Sequence, residues 1–335
     1  MSTRHRHKLV AGVAVLATGI MSLLVGISPG PASAAANNIK IVFVSGPLTD
    51  SFFPPLYNGA KQASHDLGIS FNYIPINEGD IEQSSAQTME AAIAEHPSAI
   101  VVGDFITSVV DPLIRKAVKS GIPVYVDQSG QDQWQRDGAF GFVGQQGPAA
   151  GAAAGNEFLR LGSKDVLCID NVPGNPYLTA VCDGLAGVLK RAGGSSTILP
   201  LPTADATNPL KVTQDIGAYL ASHKGITGAF AENAADGSDA VAAVQAAHLG
   251  KTVQVGTMEI SRLDLQQVEA GQMAFLINEQ PYLDGYYGVL FAYQYVKYGL
   301  APVGPVATGP AIIDKRNIAK VLSVTKRYPG VLGSD

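Results

Sequence analysis

From residue 39 onward, short β-branched apolar runs alternate with helix-length amphipathic segments. The runs 39–44, 69–76 (ISFNYIPI), 98–102 (SAIVV) and 122–126 (IPVYV) predict strands, and the segments 54–67, 81–95 and 109–120 between them predict helices. A second series repeats the scheme. Its strands are predicted at 164–169 (KDVLCI), 196–199, 226–230 (ITGAF), 252–256 and 273–277, and its helices at 147–161, 177–192, 209–222, 236–247 and 262–270. Strands without in/out alternation, separated by helices, imply parallel sheets covered on both faces. The fold class is therefore α/β, with two doubly wound, Rossmann-like lobes of about 110 residues each rather than one long sheet.

The end of the chain breaks the alternation. After Phe275-Leu276-Ile277 a strong helix spans 283–298 and the segment GLAPVGPVATGPAIID follows. That helix has nothing left to cover in the second lobe, so it is assigned to the first, and the last strand, 311–313, to the second. Three passages between the lobes result, near 141–147, 278–282 and 304–310, each containing glycine or proline. The boundaries expected are 37–143 plus 281–308 for the N-terminal lobe and 144–280 plus 309–325 for the C-terminal lobe.

Residues 1–34 stand apart. Arg4, Arg6 and Lys8 precede an apolar run over 9–27, then Pro29, Gly30 and Pro31, then Ala32-Ser33-Ala34. Charged start, apolar middle and small-residue end make the order of a cleaved secretory signal peptide, with a retained membrane anchor as the alternative. Its loss removes three of the 23 basic residues and none of the 28 acidic ones, leaving a net charge of −8. An acidic chain of this kind argues against nucleic acid and anionic membrane surfaces as partners. Cys168, on a predicted strand, and Cys182, on the next helix, are placed to bridge after export; two buried free thiols are the alternative.

In a parallel sheet, ligands bind beyond the carboxyl ends of the strands, so chemistry is sought in the residues after each strand. These are Asp50, Phe52 and Phe53, Asp104, Asp127 and Gln128, Asp170 and Asn171, the segment GNPYLT with Tyr177 and Thr179, Glu232 and Asn233, Met258 and Glu259, and Asn278 with Glu279. Rings that stack on C–H surfaces, beside carboxylates and amides that meet hydroxyls, suit a small neutral polyhydroxylated molecule. Asp104, Asp170 and Asn171 are read instead as N-caps of the helices that follow. Of Phe52 and Phe53, one ring is expected to lock the start of its helix and the other to reach the cleft. Pro54 and Pro55 suit the first helical turn, where missing N–H groups cost little. The aromatics of the last long helix, Tyr286, Tyr287, Phe291, Tyr293 and Tyr295, are read as packing and surface.

Catalytic patterns do not emerge. There is no G-x-S-x-G, H-E-x-x-H or P-loop, and the four histidines beyond the leader (65, 96, 223 and 248) fall on predicted helices and their ends. The run GPAAGAAAG lacks a Gly-Lys-Ser/Thr ending and reads as a closely packed helix. No catalytic residue, metal site or cofactor is expected.

The chain beyond residue 37 resembles the type I periplasmic substrate-binding proteins of ABC sugar importers, the group of ribose- and galactose-binding proteins. The resemblance rests on SFFPPLYNGAKQAS, GIPVYVDQSG, GNPYLTAVCDGL, AFAENAADGSDAV, and INEQPYLDGYYGV followed by YGLAPVGPVATGP. It implies the hinged two-lobe fold of that family and a ligand-binding set of Asp50, Phe52, Phe53, Asp127, Gln128, Tyr177, Thr179, Asn233, Met258, Glu259 and Glu279. The partners implied are a sugar or polyol and the permease subunits of an ABC transporter, with the binding protein a monomer.

Departures from the family pattern modify that expectation. Gln128 and Thr179 stand where arginines clamp sugar oxygens, and Met258 stands where an aspartate is usual. A bidentate guanidinium has no equivalent in Thr or Gln, so the ligand is expected to be a polyol, a modified sugar or a less hydroxylated metabolite. In LVGI, Ile27 occupies the place of a lipid-bearing cysteine, which implies a periplasmic or extracellular protein without a lipid anchor. The same lobes form the core of sugar-responsive repressors, but those carry a DNA-binding helix pair and no export signal. A ligand-presenting sensor for a chemoreceptor or membrane kinase is the alternative to transport, and a secreted hydrolase a more distant one.

Overall fold

The computed structural model describes residues 38–205 and 208–332, so the leader expected over 1–34 lies outside the described residues. Two parallel sheets organise these residues. In the first, β1 (Lys40–Ser45) is flanked by β2 (Ser70–Pro75) and β3 (Ala99–Gly103); β4 (Val124–Asp127) and β5 (Phe142–Val143) follow, giving the order β2-β1-β3-β4-β5. The second contains β6 (Asp165–Asp170), β7 (Ser195–Pro200), β8 (Gly228–Ala231), β9 (Gln254–Met258), β10 (Phe275–Asn278) and β11 (Ala311–Asp314) in the order β11-β10-β9-β8-β6-β7. Only β11 runs antiparallel, against β10.

The central strands are uniform because both of their faces are covered. KIVFV and AIVVG pair in register, Ile41 to Ala99 through Val44 to Val102, and every one of those residues is buried. The covering helices are α1 (Phe53–Leu67), α2 (Ile81–Ala94) and α3 (Thr107–Lys119) in the first half, then α4 (Gly147–Arg160), α5 (Pro176–Arg191), α6 (Pro209–Ser222), α7 (Ala234–Ala246) and α8 (Arg262–Ala270). The long helix α9 (Pro281–Tyr298) packs on α1, β3 and β4 of the first sheet, as its surplus position in the sequence suggested. The apolar patterns missed β5, two residues long, and α10 (Ile318–Arg327), of which only Ile318 is buried.

Chain passes link the sheets at β5 to α4, at β10 to α9, and from Val306, which bridges to Val143 of β5, on to β11. Two helix pairs approach so closely that a side chain would not fit between them. A Cβ at Gly151 of α4 would lie 1.9 Å from the Val181 carbonyl oxygen of α5, and one at Gly285 of α9 lies 1.9 Å from that of Leu56 in α1. The small-residue run GPAAGAAAG is thus a helix contact surface. Cys168 and Cys182 form a disulfide joining β6 to α5. The α9 aromatics pack on the sheet and one another, Tyr295 stacking on Phe140 at 4.0 Å and Phe291 meeting Tyr125 at 5.8 Å. No helix among the described residues is long and apolar enough to cross a membrane.

Two stability effects follow. Gly151→Ala and Gly285→Ala should each cost about 1–3 kcal/mol through overpacking, read as a lower urea midpoint. Gly187→Ala is the control, because a Cβ there meets only the Arg191 guanidinium at 3.6 Å; it should be neutral or slightly stabilising. Cys182→Ala opens a loop spanning 14 positions and should cost about 3 kcal/mol, a loss that reductant reproduces in the parent protein and not in the variant.

Candidate functional site

Parallel strands all end on the same side of their sheet, so the loops that follow them converge. The order in each sheet reverses beside its first strand, between β1 and β3 and between β6 and β8, which opens a crevice at that side. The two crevices face one another across a cavity of about 600 Å³, counted out to its mouth. Its walls come from the residues after β1 (Gly46, Asp50, Phe53), β3 (Phe105), β4 (Gln128, Ser129), β6 (Asn171, Val172, Asn175, Tyr177, Leu178), β8 (Glu232), β9 (Met258, Glu259) and β10 (Glu279).

Phe52 and Phe53 separate as the sequence suggested. Phe52 is buried in the core beneath α1, while Phe53 lines the cavity and meets Phe105 edge-on at 6.1 Å. Gly46 makes this possible, since a Cβ there would lie 2.1 Å from the Phe53 ring. The Asp50 carboxylate accepts a hydrogen bond from the Phe52 amide at 2.8 Å and so fixes the loop that presents the ring. Pro54 and Pro55 occupy the first turn of α1.

The cavity floor is a network at the chain passages. Gln145, between β5 and α4, donates from Nε2 to the Tyr177 hydroxyl at 2.8 Å and to Glu279 Oε1 at 2.9 Å, and the Tyr177 hydroxyl donates to the same carboxylate oxygen. Met258 sulfur lies 3.9 Å from that hydroxyl. Burial pushes the Glu279 carboxyl up to about 7, against the opposing pull of the Tyr177 and Gln145 hydrogen bonds. Across the cleft, Ser129 Oγ donates to Asn175 Oδ1 at 3.0 Å, and that oxygen also accepts from the Tyr177 amide, capping α5. The two lobes therefore meet through a direct hydrogen bond.

Gln128 and Glu259, immediately after β4 and β9, hold left-handed backbone with φ of 62° and 67°, as does Gln280 at φ 63° beside the passage into α9. Non-glycine residues in this region are uncommon, and their gathering at strand exits marks a site whose shape the surrounding fold imposes.

Of the sequence-predicted residues, Asp50, Phe53, Gln128, Tyr177, Met258, Glu259 and Glu279 come together on the cavity wall. The others lie elsewhere. Asp127 is fully buried beneath the floor, where burial pushes its carboxyl well up and Asp284 of α9 is a buried carboxyl neighbour. Thr179 is exposed on α5 and donates to the Asn175 carbonyl at 3.1 Å. Asn233 caps α7, accepting from the Asp236 amide at 2.7 Å, and lines the outer mouth with Thr49, Ser51 and Leu263. The capping role expected of Asp104, Asp170 and Asn171 does not hold. The cap positions of α3 and α5 are Ile106 and Asn175, because each loop runs on before its helix begins. Asn171 lines the cavity instead, and Asp170 Oδ1 accepts from the Val172 amide.

Phe105, Ser129 and Gln145 were not legible as site residues. Phe105 and Ser129 sit one position beyond residues that were considered, and Gln145 follows a strand too short to predict. Glu232 was visible as a strand-exit residue, and the structure puts it on the wall at 1% exposure.

Comparison with known proteins agrees with this architecture. A family model described as a periplasmic binding protein domain matches residues 41–300. The chain is 27% identical over 308 residues to the xylose/arabinose-binding protein XylF of Sulfolobus acidocaldarius, covering 87% of this chain and 74% of that one. The solved carbohydrate transporter of Acidothermus cellulolyticus 11B, in complex with myo-inositol, superposes with a TM-score of 0.79 at 28% identity, over 88% of this chain and 99% of that one. The glucose-galactose binding protein GanP of Geobacillus stearothermophilus shares the fold, with a TM-score of 0.75 at 18% identity over 84% and 98% of the two chains.

The Glu279 carboxyl gives a pH test with a definite sign. Its folded value of about 7 lies above its ordinary 4.5, so the folded chain holds this proton more tightly than the unfolded one and stability falls as pH rises between those values. Glu279→Gln should flatten the melting temperature of the ligand-free protein over this window by about one proton's worth of slope. An unchanged slope would place the titration elsewhere.

Proposed function

This chain belongs to the periplasmic binding protein family, and we propose that it is an extracytoplasmic receptor that closes its two lobes around a sugar or cyclitol-like polyol and delivers it to an ABC transporter permease. One observation carries the reading. A single cavity takes its walls from the strand ends of both sheets, so a ligand there gains its full set of contacts only when the lobes are together. A ligand of that kind shifts an open–closed equilibrium by its differential affinity for the two states, the mechanism of hinge closure. The three passages are the hinge, and Gln145 and Glu279, both at passages, join it to the cavity floor.

The chemistry of the wall supports a hydroxyl-bearing ligand. Phe53 and Phe105 offer ring surfaces for C–H faces, and Asn171, Gln128, Ser129 and Asn175 offer paired donors and acceptors. The myo-inositol bound by the Acidothermus protein supports a cyclitol among the ligands to be tried, in keeping with a cavity wall that holds no arginine among the described residues. The sugar-transport relatives support presentation to a permease over presentation to a sensor, and binding over catalysis. An exported, monomeric protein fits this role.

Thermal-shift screening of pentoses, hexoses and cyclitols checks the reading, since a ligand at a hundred times its dissociation constant adds roughly 2.7 kcal/mol to stability. Phe53→Ala and Gln128→Ala should each weaken the ligand so found by about 1–3 kcal/mol, with the circular dichroism spectrum unchanged. Thr179→Ala, exposed on α5, should leave affinity as it was. Loss of affinity at Thr179 and none at Phe53 would move the site off this cavity.

A further inference from the structure

One side chain on the cavity wall is left without a donor. Glu232, at the exit of β8, is 1% exposed, and among the described residues no N–H or O–H group donates to its carboxylate. Oε2 has no partner, and the contact at Oε1 is Cys182 Sγ at 3.4 Å, a disulfide sulfur that carries no hydrogen. The other unpartnered buried oxygens on the wall, Gln128 Oε1 and Asn171 Oδ1, are acceptors as well. Four carboxylates line the cavity, those of Asp50, Glu232, Glu259 and Glu279, while no lysine, arginine or histidine does so among the described residues.

We propose that the ligand of this cavity carries a protonated amine alongside its hydroxyls, as an amino sugar or aminocyclitol does, with the ammonium seated on Glu232. The inference rests on the reading of the cavity as a site for a sugar-like ligand, and it departs from the uncharged ligand suggested by the residue types alone. An ammonium brings three donors and no acceptor, the complement of a wall whose unpartnered buried atoms are all acceptors. A hydrogen bond between two charged groups is roughly twice as strong as one between neutral groups. Buried carboxylates are tolerated when paired, and nothing among the described residues pairs this one.

The surroundings of Glu232 point the same way. Burial and the carboxyls of Asp170, Asp236 and Glu279 push its own carboxyl well up, each of them disfavouring the charged form. A ligand ammonium supplies the positive charge those neighbours lack and so favours the carboxylate. A neutral polyol supplies no such charge.

The test is a set of pairs differing by one amine-for-hydroxyl exchange: D-glucosamine and D-glucose, D-galactosamine and D-galactose, scyllo-inosamine and scyllo-inositol. Affinities for the whole mature protein are measured by titration calorimetry in buffers of different ionisation enthalpy. In at least one pair the aminated member should bind tenfold or more tightly than its partner, with proton release on binding, and Glu232→Gln should bring that ratio to about one. Hydroxylated members that bind as well as or better than their aminated partners in every pair would overturn the inference and leave the sugar receptor standing. A preference that survives in Glu232→Gln would overturn the seat on Glu232. No binding by any member, beside a neutral sugar or cyclitol that binds in the thermal-shift screen, would overturn this inference alone; no binding in either set would overturn the receptor reading with it.

Discussion

The direction of the strands is the constraint on which the rest of the molecule depends. A parallel sheet sends every strand end to one side, and two such sheets, facing each other across a gap, bring the strand exits of both around one volume. The apolar runs that build the sheets make this possible by burying both faces, so polar side chains are excluded from the strands and gather at their ends. A fold of this kind produces a polar cavity between apolar layers without dedicating any element to it.

Joining the halves by three passes instead of one has consequences for the floor of that cavity. Gln145 and Glu279 lie in segments that leave one sheet for the other, and both share Tyr177 with the start of α5. A change in lobe angle must therefore alter the same hydrogen bonds that a ligand at the floor would touch. The close contacts of α1 with α9 and of α4 with α5, where no Cβ fits at Gly285 or Gly151, tie the helices within each lobe tightly together, so the proposed closure would fall on the passes.

The electrostatics of the molecule are one-sided in the same region. Asp127 and Asp284 below the floor, and Glu232 and Glu279 on the wall, are buried with their carboxyls pushed up, in each case by burial first, with neighbouring carboxyls adding to it at Asp284, Glu232 and Glu279. Low dielectric makes each uncompensated charge expensive, which is why the same burial that shapes the cavity raises these carboxyls.

Much of this was legible from residues alone, because it depends on local period and composition. The central strands, the helices from α1 to α9, the return of α9 to the first sheet and the split between Phe52 and Phe53 all follow from runs, spacing and turn residues. The site followed only in part. Asp127 and Thr179 bracket the cavity in sequence but point away from it, since a side chain one position along a strand or helix changes faces. Asn171 lines the wall instead of capping α5 because the loop runs four residues further, to Asn175, before the helix starts. Phe105, Ser129, Gln145 and the missing donor at Glu232 belong to neither period nor motif. They arise from segments far apart in the chain meeting in space, and distance in space is the one quantity that a pattern along a line does not carry.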